Sequence, residues 1–396
     1  MSIGHHHFAH GRELLHQQQE VARLQGLLEA SRVVHGTIEL AEVLQCTLEV
    51  AAKELESEGA FFAETEAFTA DATYGRVPFG WPQSNDSRVW TDCTHVPLWD
   101  KNRNLLTRLV IFRPGQPLSL EEQDFLEGLA LQASVAIENA RHHKQLLAWE
   151  RTQQDLASAR VIQRSLLPQT LPQIPGYFVS YQFSPCHEVG GDYVDIIPLD
   201  SHCFVAIVAD IAGKGLASAL VSAAVRATFR AMVTAGVGLP ELADRMNDLH
   251  HAEGPEARYK YATAIMVRLD ARHHELTVVN AGHNPGFLLS GTGPRLLGAS
   301  GPPLGLFPNT RYQAETYSLV GSCGLLLYTD GLTEVFRGEE EFGSERLLAE
   351  FQQLHTRRCS DTLHQLWSLV AGFSGSGEQS DDMTALALLR NAEVAT

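Results

Sequence analysis

The stretch from Val208 to Gly215 reads VADIAGKG, an apolar run followed by an aspartate and a glycine-rich turn. Such an apolar run is typical of a buried strand, and Asp210 falls where that strand would end. A carboxylate in this position is held on a rigid scaffold and remains open to solvent. A single aspartate near glycine is most often only a turn. This stretch therefore indicates a functional site only if other parts of the chain repeat the pattern.

Three further segments of the carboxy-terminal half place aspartates beside apolar runs. They read GGDYVD from Gly190 to Asp195, LYTDG from Leu327 to Gly331 and SDDMT from Ser380 to Thr384. The apolar runs predict strands separated by turns, with helical stretches at 217–233 and 345–354 between some of them. This mixture predicts an α+β domain in which helices cover the faces of a mixed sheet system.

The repeated aspartates predict a metal site. Several carboxylates that converge at strand ends cannot all stay ionised unless a cation offsets their repulsion. All-oxygen ligation without His or Cys suits a hard cation, Mg²⁺ or Mn²⁺. Two such ions about 4 Å apart can activate a water and hold a phosphoryl group for in-line displacement. No spacing of Cys and His supports a structural zinc site.

Together with NAGHNP from Asn280 to Pro285, these motifs resemble in order and spacing those of the PPM (type 2C) metal-dependent serine/threonine phosphatases. The resemblance is to their bacterial SpoIIE/RsbU branch, and it includes ARVIQRSLLP from Ala159 to Pro168. It implies the PPM phosphatase fold, a two-sheet β-sandwich flanked by helices, over residues 168–391.

The resemblance also implies a set of metal ligands. Asp192 would lie on the first metal, largely through water, and Asp210 would bridge both metals. The carbonyl of Ile211 would help at the first metal, while Asp330 and Asp381 would hold the second. In these enzymes a bridging hydroxide is the nucleophile and no phosphoenzyme forms.

Four further residues each have two interpretations. Asp195 and Asp382 either support the ligands from behind or cap turns. Lys214 either contacts the substrate phosphate or is a solvated charge in its turn, since GKG lacks the rest of a nucleotide-binding P-loop. His283 either donates a proton to the leaving serine or shapes its loop.

The amino-terminal half has a different character. Helical spacing of apolar residues predicts a helical segment within residues 1–30. Residues 31–140 resemble a GAF domain in the segments SRVVHGTIELAEVLQCTLEVAAKEL and LSLEEQDFLEGLALQASVAIENAR. A GAF-like domain implies an antiparallel sheet flanked by helices, and often a dimer. Cys93 and His95 in its middle do not indicate a bilin or haem, so no organic cofactor is predicted.

A long helix should join the two halves. Between Leu120 and Leu167 the chain has no proline, and apolar residues recur at three- and four-residue steps. Such a length predicts a coiled-coil connector over residues 120–167, which overlaps the last helix of the GAF-like region. The alternative is a helix packed along its own domain. Ser119 followed by Glu122 predicts the helix start, and a paired connector predicts a homodimer.

Composition excludes several classes of partner. The formal charge of −17 over 396 residues disfavours nucleic acid and anionic membranes, both of which attract clustered Lys and Arg. No run approaches the roughly 20 apolar residues of a membrane span, and no apolar signal segment is visible at the amino terminus. The six cysteines include no CxxC pair, which favours a reducing, cytoplasmic setting.

These observations predict a cytoplasmic protein serine/threonine phosphatase under the control of a GAF-like domain. The family resemblance implies a phosphoserine or phosphothreonine substrate on a STAS-type anti-sigma-factor antagonist in a partner-switching pathway. The alternative is a non-catalytic signalling scaffold that uses the phosphatase fold to bind a partner. A metal-dependent nucleotidyl enzyme shares the carboxylates, but the chain lacks a P-loop and a basic surface.

Overall fold

The structure is a computed structural model that describes residues 25–63, 72–76, 92–254, 259–291, 293–319, 321–356, 361–375 and 379–390. The chain divides into two compact units, Met1–Thr152 and Gln153–Thr396. Most of the predicted segment 1–30 lies outside the described residues, and residues 25–34 form a helix, α1.

The amino-terminal unit contains a four-stranded antiparallel sheet of order β2-β1-β4-β3. Its strands are β1 Gly59–Ala63, β2 Thr73–Gly75, β3 Cys93–Trp99 and β4 Leu105–Phe112. Helix α2, Leu40–Glu54, and the start of the next helix share one core with this sheet, in which Leu48, Ile111 and Leu129 are fully buried. The unit is therefore a small α+β domain.

Helix α3, Leu120–Leu166, is 47 residues long. Its predicted start is confirmed, because the Ser119 amide donates to Glu122 Oε2 at 2.7 Å and the Glu122 amide donates to Ser119 Oγ at 3.2 Å. The buried residues of this helix all lie between Phe125 and Ala140. Beyond them apolar side chains are exposed, as Trp149 shows with 61% of its surface accessible.

The carboxy-terminal unit contains two five-stranded antiparallel sheets, of order β12-β9-β8-β7-β6 and β11-β10-β13-β16-β5. The two sheets share one buried core, to which β7 contributes Phe204, β8 contributes Ile265 and β16 contributes Leu386. This arrangement confirms the predicted two-sheet sandwich. The strands are β5 Tyr177–Ser184, β6 Tyr193–Pro198, β7 Cys203–Ile211, β8 Ala262–Asp270, β9 Glu275–Ala281, β10 Gly286–Ser290, β11 Gly293–Leu297, β12 Glu315–Ser318, β13 Cys323–Tyr328 and β16 Met383–Arg390.

Helices cover the outer face of each sheet. Helices α4, Leu216–Thr234, and α5, Leu239–Ala252, pack on the first sheet through Phe229 and Met246. Helices α6, Ser344–Thr356, and α7, Thr362–Ser374, pack on the second sheet. Strand β7 is apolar almost throughout because one face lies in the sandwich core and the other lies beneath helices.

The carboxy-terminal unit also contains a small hairpin and one markedly apolar helix. The hairpin, β14 Phe336–Arg337 and β15 Glu340–Glu341, stands beside the second sheet. The apolar helix is α4, which has the length and the mean hydropathy, 1.4, of a possible membrane span. Its buried face, however, packs into the core on the first sheet, as a core helix of a folded domain does.

Candidate active site

The aspartates singled out in the sequence meet where ends of the two sheets come together. Asp192 directly precedes β6, and Asp210 is the penultimate residue of β7. Asp330 begins a short 3₁₀ turn just after β13, and Asp381 lies two residues before β16. The sandwich therefore brings all four carboxylates to one site, close enough for their charges to act on one another.

Two threonines hold the side chain of Asp192, which is 3% exposed. The Thr329 hydroxyl donates to Asp192 Oδ2 at 2.7 Å, and the Thr384 hydroxyl donates to the same oxygen at 2.5 Å. The Thr384 amide in turn donates to Thr329 Oγ1 at 3.0 Å. Asp192 thus has a fixed orientation that sequence reasoning missed, although each threonine belongs to an aspartate motif.

Asp382 supports the site from behind, which was one of its two predicted interpretations. Its carboxylate accepts the amide of Cys186 at 2.8 Å and the amide of Gly191 at 2.7 Å. The approach is so close that a Cβ atom on Gly190 would lie 2.3 Å from Asp382 Oδ2. A side chain at Gly190 would therefore displace the Asp382 carboxylate from the two amides that it accepts.

Gly331 is required for a similar reason. A Cβ atom at this position would lie 1.9 Å from the carbonyl oxygen of Asp382. Asp330 and Gly331 are therefore pressed against the backbone of the Asp381-Asp382 segment. The Asp-Gly pair of this motif serves a close approach between two ligand-bearing segments in addition to making a turn.

The electrostatics of the site favour a bound cation. Burial raises the pKa of Asp192 well above its usual value, and the neighbouring charge of Asp210 raises it further. Burial and the charges of Asp330 and Asp381 raise the pKa of Asp210 to about 7. Burial and Asp381 also raise the pKa of Asp330. Carboxylates that repel one another in this way fit a site for divalent ions.

Two residues beside the cluster complete its surroundings. The carbonyl oxygen of Ile211 lies against Gly191, where a Cβ atom would stand 3.0 Å from it, so this oxygen faces the segment that carries Asp192. The sulfur of Cys186 and carboxylate oxygens of Asp381 and Asp382 lie within 4.8 Å of one another. No sequence motif indicated this thiol.

Lys214 forms an ion pair with the cluster. Its Nζ lies 2.9 Å from Asp381 Oδ2 and donates to the carbonyl of Ser380 at 2.6 Å. It is therefore not a free solvated charge in its turn. Its side chain remains 45% exposed, so the predicted contact with a substrate phosphate stays a prediction.

Asp195 does not join the cluster and does not cap a turn. It is fully buried, and its two carboxylate oxygens accept Arg230 Nε at 2.6 Å and Arg230 Nη2 at 2.8 Å. The Tyr193 hydroxyl also donates to it at 2.6 Å. Asp195 therefore ties strand β6 to helix α4.

His283 is buried and both of its ring nitrogens have partners. Nε2 lies 3.0 Å from the carbonyl of Tyr328, and Nδ1 lies 2.8 Å from Thr263 Oγ1. Because a carbonyl only accepts, Nε2 carries the proton and the Thr263 hydroxyl donates to Nδ1. Burial lowers the pKa of His283 to about 4. These contacts favour the loop-shaping interpretation over the proton donor.

Two antiparallel five-stranded sheets with outer helices and a carboxylate cluster at their ends define a PP2C-type (PPM) phosphatase domain. The family model described as Stage II sporulation protein E (SpoIIE) matches residues 200–391. The SiaA-PP2C domain of Pseudomonas aeruginosa has a similar fold, with a TM-score of 0.54 and 21% identity over 61% of this chain and 98% of that domain. Over residues 200–391 the carboxy-terminal unit is therefore similar to the SpoIIE/RsbU branch of the PPM phosphatases.

Two relatives from Bacillus subtilis support the same placement. Phosphoserine phosphatase RsbP is 31% identical over 188 residues, which are 46% of this chain and 46% of that protein. Phosphoserine phosphatase RsbU is 24% identical over 182 residues, which are 46% of this chain and 53% of that protein. The chain therefore spans about half the length of these curated relatives.

Proposed function

We propose that this protein is a metal-dependent protein serine/threonine phosphatase. One observation carries the proposal: several buried or half-buried carboxylates converge where the two sheets end, and burial and mutual repulsion raise the pKa values of Asp192, Asp210 and Asp330. Such an arrangement is costly unless a cation compensates it. Similarity to two proteins named phosphoserine phosphatases supports the reaction.

The donor set fits two hard divalent ions, Mn²⁺ or Mg²⁺. We assign Asp192, Asp210, Asp330 and Asp381 as carboxylate ligands, with the carbonyl of Ile211 as a further oxygen donor. When bound, the ions would supply an activated water and would neutralise charge on the phosphoryl group. Oxygen donors in a half-open site that leaves room for water suit these ions better than Zn²⁺.

The chain's own residues prepare the site for this chemistry. Thr329 and Thr384 fix the orientation of Asp192, so that its carboxylate is in place before substrate arrives. Lys214 stands at the exposed side of the cluster, where its ammonium can approach a phosphate oxygen once a cation engages Asp381. The buried His283 is neutral near pH 7 and serves the loop, so the leaving serine would take its proton from another source.

Removal of metal tests the proposal directly. After dialysis against EDTA, the protein should release no phosphate from a phosphoserine peptide, and Mn²⁺ or Mg²⁺ should restore turnover while Zn²⁺ restores little of it. Malachite-green detection of phosphate with each metal returned gives the measurement. Full activity in the stripped protein would contradict the assignment. A non-catalytic scaffold predicts no phosphate release under any of these conditions.

A more specific proposal concerns the substrate. We propose a phosphoserine or phosphothreonine on a STAS-type anti-sigma-factor antagonist, in a cytoplasmic partner-switching pathway under the control of the GAF-like domain. Similarity to two proteins named phosphoserine phosphatases supports a phosphoserine substrate, and the STAS-type partner is what the resemblance of the motifs to the SpoIIE/RsbU branch implies.

We further propose that the chain is a homodimer joined by helix α3. The residues buried along this helix end at Ala140, and beyond them Trp149, Val161 and Ile162 are each more than half exposed. A helix with an apolar surface of this kind is stabilised when it pairs with a second copy. Light scattering should therefore give the mass of a dimer, and Trp149→Glu with Ile162→Glu should weaken it. A monomeric mass for the unchanged chain would contradict this proposal and leave the phosphatase assignment untouched.

A further inference from the structure

An apolar groove borders the candidate active site on the side of the second sheet. Its volume is about 340 Å³, and we call it the Trp367 groove. Its principal lining residues are Val335, Phe336, Trp367, Val370, Ser380 and Met383.

The groove is continuous with the carboxylate cluster. Ser380 directly precedes Asp381, and neighbouring Cα atoms lie about 3.8 Å apart. The Ser380 hydroxyl donates to the carbonyl of Glu334 at 3.2 Å, which joins the segments that follow Asp330 and precede Asp381. A chain that presents a phosphorylated residue to the cluster can therefore extend into this groove.

The groove exposes apolar surface that the fold itself does not cover. Phe336 lies in a two-residue strand of the small hairpin and is 51% exposed. Trp367 and Val335 are partly buried and pack from outside against the core of the second sheet. Aromatic side chains beside a cleft are frequent anchors for a bound partner.

The rim of the groove is formed on one side by the hairpin that carries Phe336, which holds Glu339, Glu340 and Glu341 against the single Arg337. Glu340 accepts both nearby arginines, Arg337 Nη2 at 2.6 Å and Arg346 Nη2 at 2.8 Å. Within the described part of the chain, Glu334 and Glu341 have no ion pair of their own. An occupant that brings a positive charge is therefore favoured.

We infer that the Trp367 groove docks a segment of the phosphoprotein substrate that carries an apolar side chain and a basic residue close to its phosphoserine or phosphothreonine. An extended segment advances about 3.3 Å per residue, and Ser380 of the groove is adjacent to Asp381, so these side chains stand within a few positions of the phosphorylated one. A second copy of this chain, with a formal charge of −17, is a poor match for an acidic rim. The inference rests on the proposed function and specifies how the phosphoprotein substrate would be recognised.

Two fluorescently labelled phosphoserine peptides test the groove. In one, Leu and Lys stand two and three positions from the phosphoserine on both sides, and in the other Gly and Glu replace them. Binding is measured by anisotropy in the Asp210→Asn background, which prevents hydrolysis. We expect the Leu/Lys peptide to bind about tenfold more tightly. In the unchanged protein the same preference should lie in KM, with similar kcat values.

Variants assign the preference to the groove. Trp367→Ala and Phe336→Ala should each remove most of the preference for the Leu/Lys peptide. Glu341→Lys should weaken binding of the Leu/Lys peptide, and this effect should be largest at low salt. Leu369→Ala is the matched control, because Leu369 lies on the same helix, is 40% exposed and does not line the groove. Thermal melting verifies that each variant is folded.

The outcomes separate this inference from the phosphatase assignment. Equal binding of the two peptides, or a preference that survives both aromatic replacements, overturns the docking inference. Absence of turnover on p-nitrophenyl phosphate in the unchanged protein counts against the phosphatase assignment instead, whereas peptide discrimination in the anisotropy experiment would still support the groove. If Trp367→Ala lowers turnover of the peptides and of p-nitrophenyl phosphate equally, the residue is structural and the inference fails.

Discussion

Replacing Asp210 with asparagine is expected to lower turnover by about a hundredfold or more while the fold stays intact. Asp210 stands at the centre of the cluster, where it interacts with the charges of Asp330, Asp381 and Asp382. The amide keeps the size of the side chain but removes the charge that would hold the cations. Phosphate release at saturating Mn²⁺ gives the measurement, and Asp361→Asn, at an exposed helix start, is the matched control.

The same substitution should change how the metal-free protein responds to pH. The folded pKa of Asp210 is about 7, above its unfolded value of about 3.9. The folded state therefore binds the proton more tightly, so the corresponding stability is fully present below pH 4 and is lost as pH rises through 7. Asp210→Asn should flatten this dependence in EDTA. If the turnover of Asp210→Asn at saturating Mn²⁺ lies within a few-fold of that of the unchanged protein, the role of Asp210 as a metal ligand is contradicted.

Replacing Arg230 with methionine is expected to cost about 3 kcal/mol of folding free energy. The substitution leaves the fully buried Asp195 carboxylate without its bidentate partner. For a unit of this size the loss corresponds to a fall in melting temperature of about 8 °C.

A double-variant cycle isolates the ion pair. Asp195→Asn removes the charge and retains an oxygen for the Tyr193 hydroxyl. If the cost arises from an unpaired charge, Asp195→Asn with Arg230→Met should be more stable than Arg230→Met alone. If the losses of folding free energy of the two variants add, this account of how α4 is held on β6 is contradicted. It is also contradicted if Arg230→Met has the same melting temperature as the unchanged protein.

Local patterns were sufficient to predict most strands of the sandwich and to single out the aspartates, whereas β6, β11 and β12 were not predicted. Strand β7 could be recognised because both of its faces are buried, so its apolar run is nearly continuous. Helices α5 and α7 were missed, because their short amphipathic stretches were not separated from the surrounding turns. The GAF-like assignment of the amino-terminal unit rests on its sequence segments and stays a prediction.

The partners of the aspartates could not be predicted, because they come from distant parts of the chain. Thr329 and Thr384 reach Asp192 across 137 and 192 residues, and no local pattern records which hydroxyl faces which carboxylate. For Asp195 the sequence does contain a signal, which predicts that its side chain and that of Tyr193 lie on the same face of a strand. Side chains alternate along a strand, so Tyr193 and Asp195 share one face of β6 while Val194 faces the sandwich core.

The position of β16 has a consequence for the order of synthesis. This strand lies between β13 and β5, and Thr384, its second residue, holds Asp192 in place. A growing chain therefore makes Asp192 first and reaches Thr384 only 192 residues later. At about 5–20 residues per second this interval lasts roughly 10–40 s. Throughout that time β5 lacks its neighbour β16, and Asp192 lacks one of the two hydroxyl donors that fix its orientation.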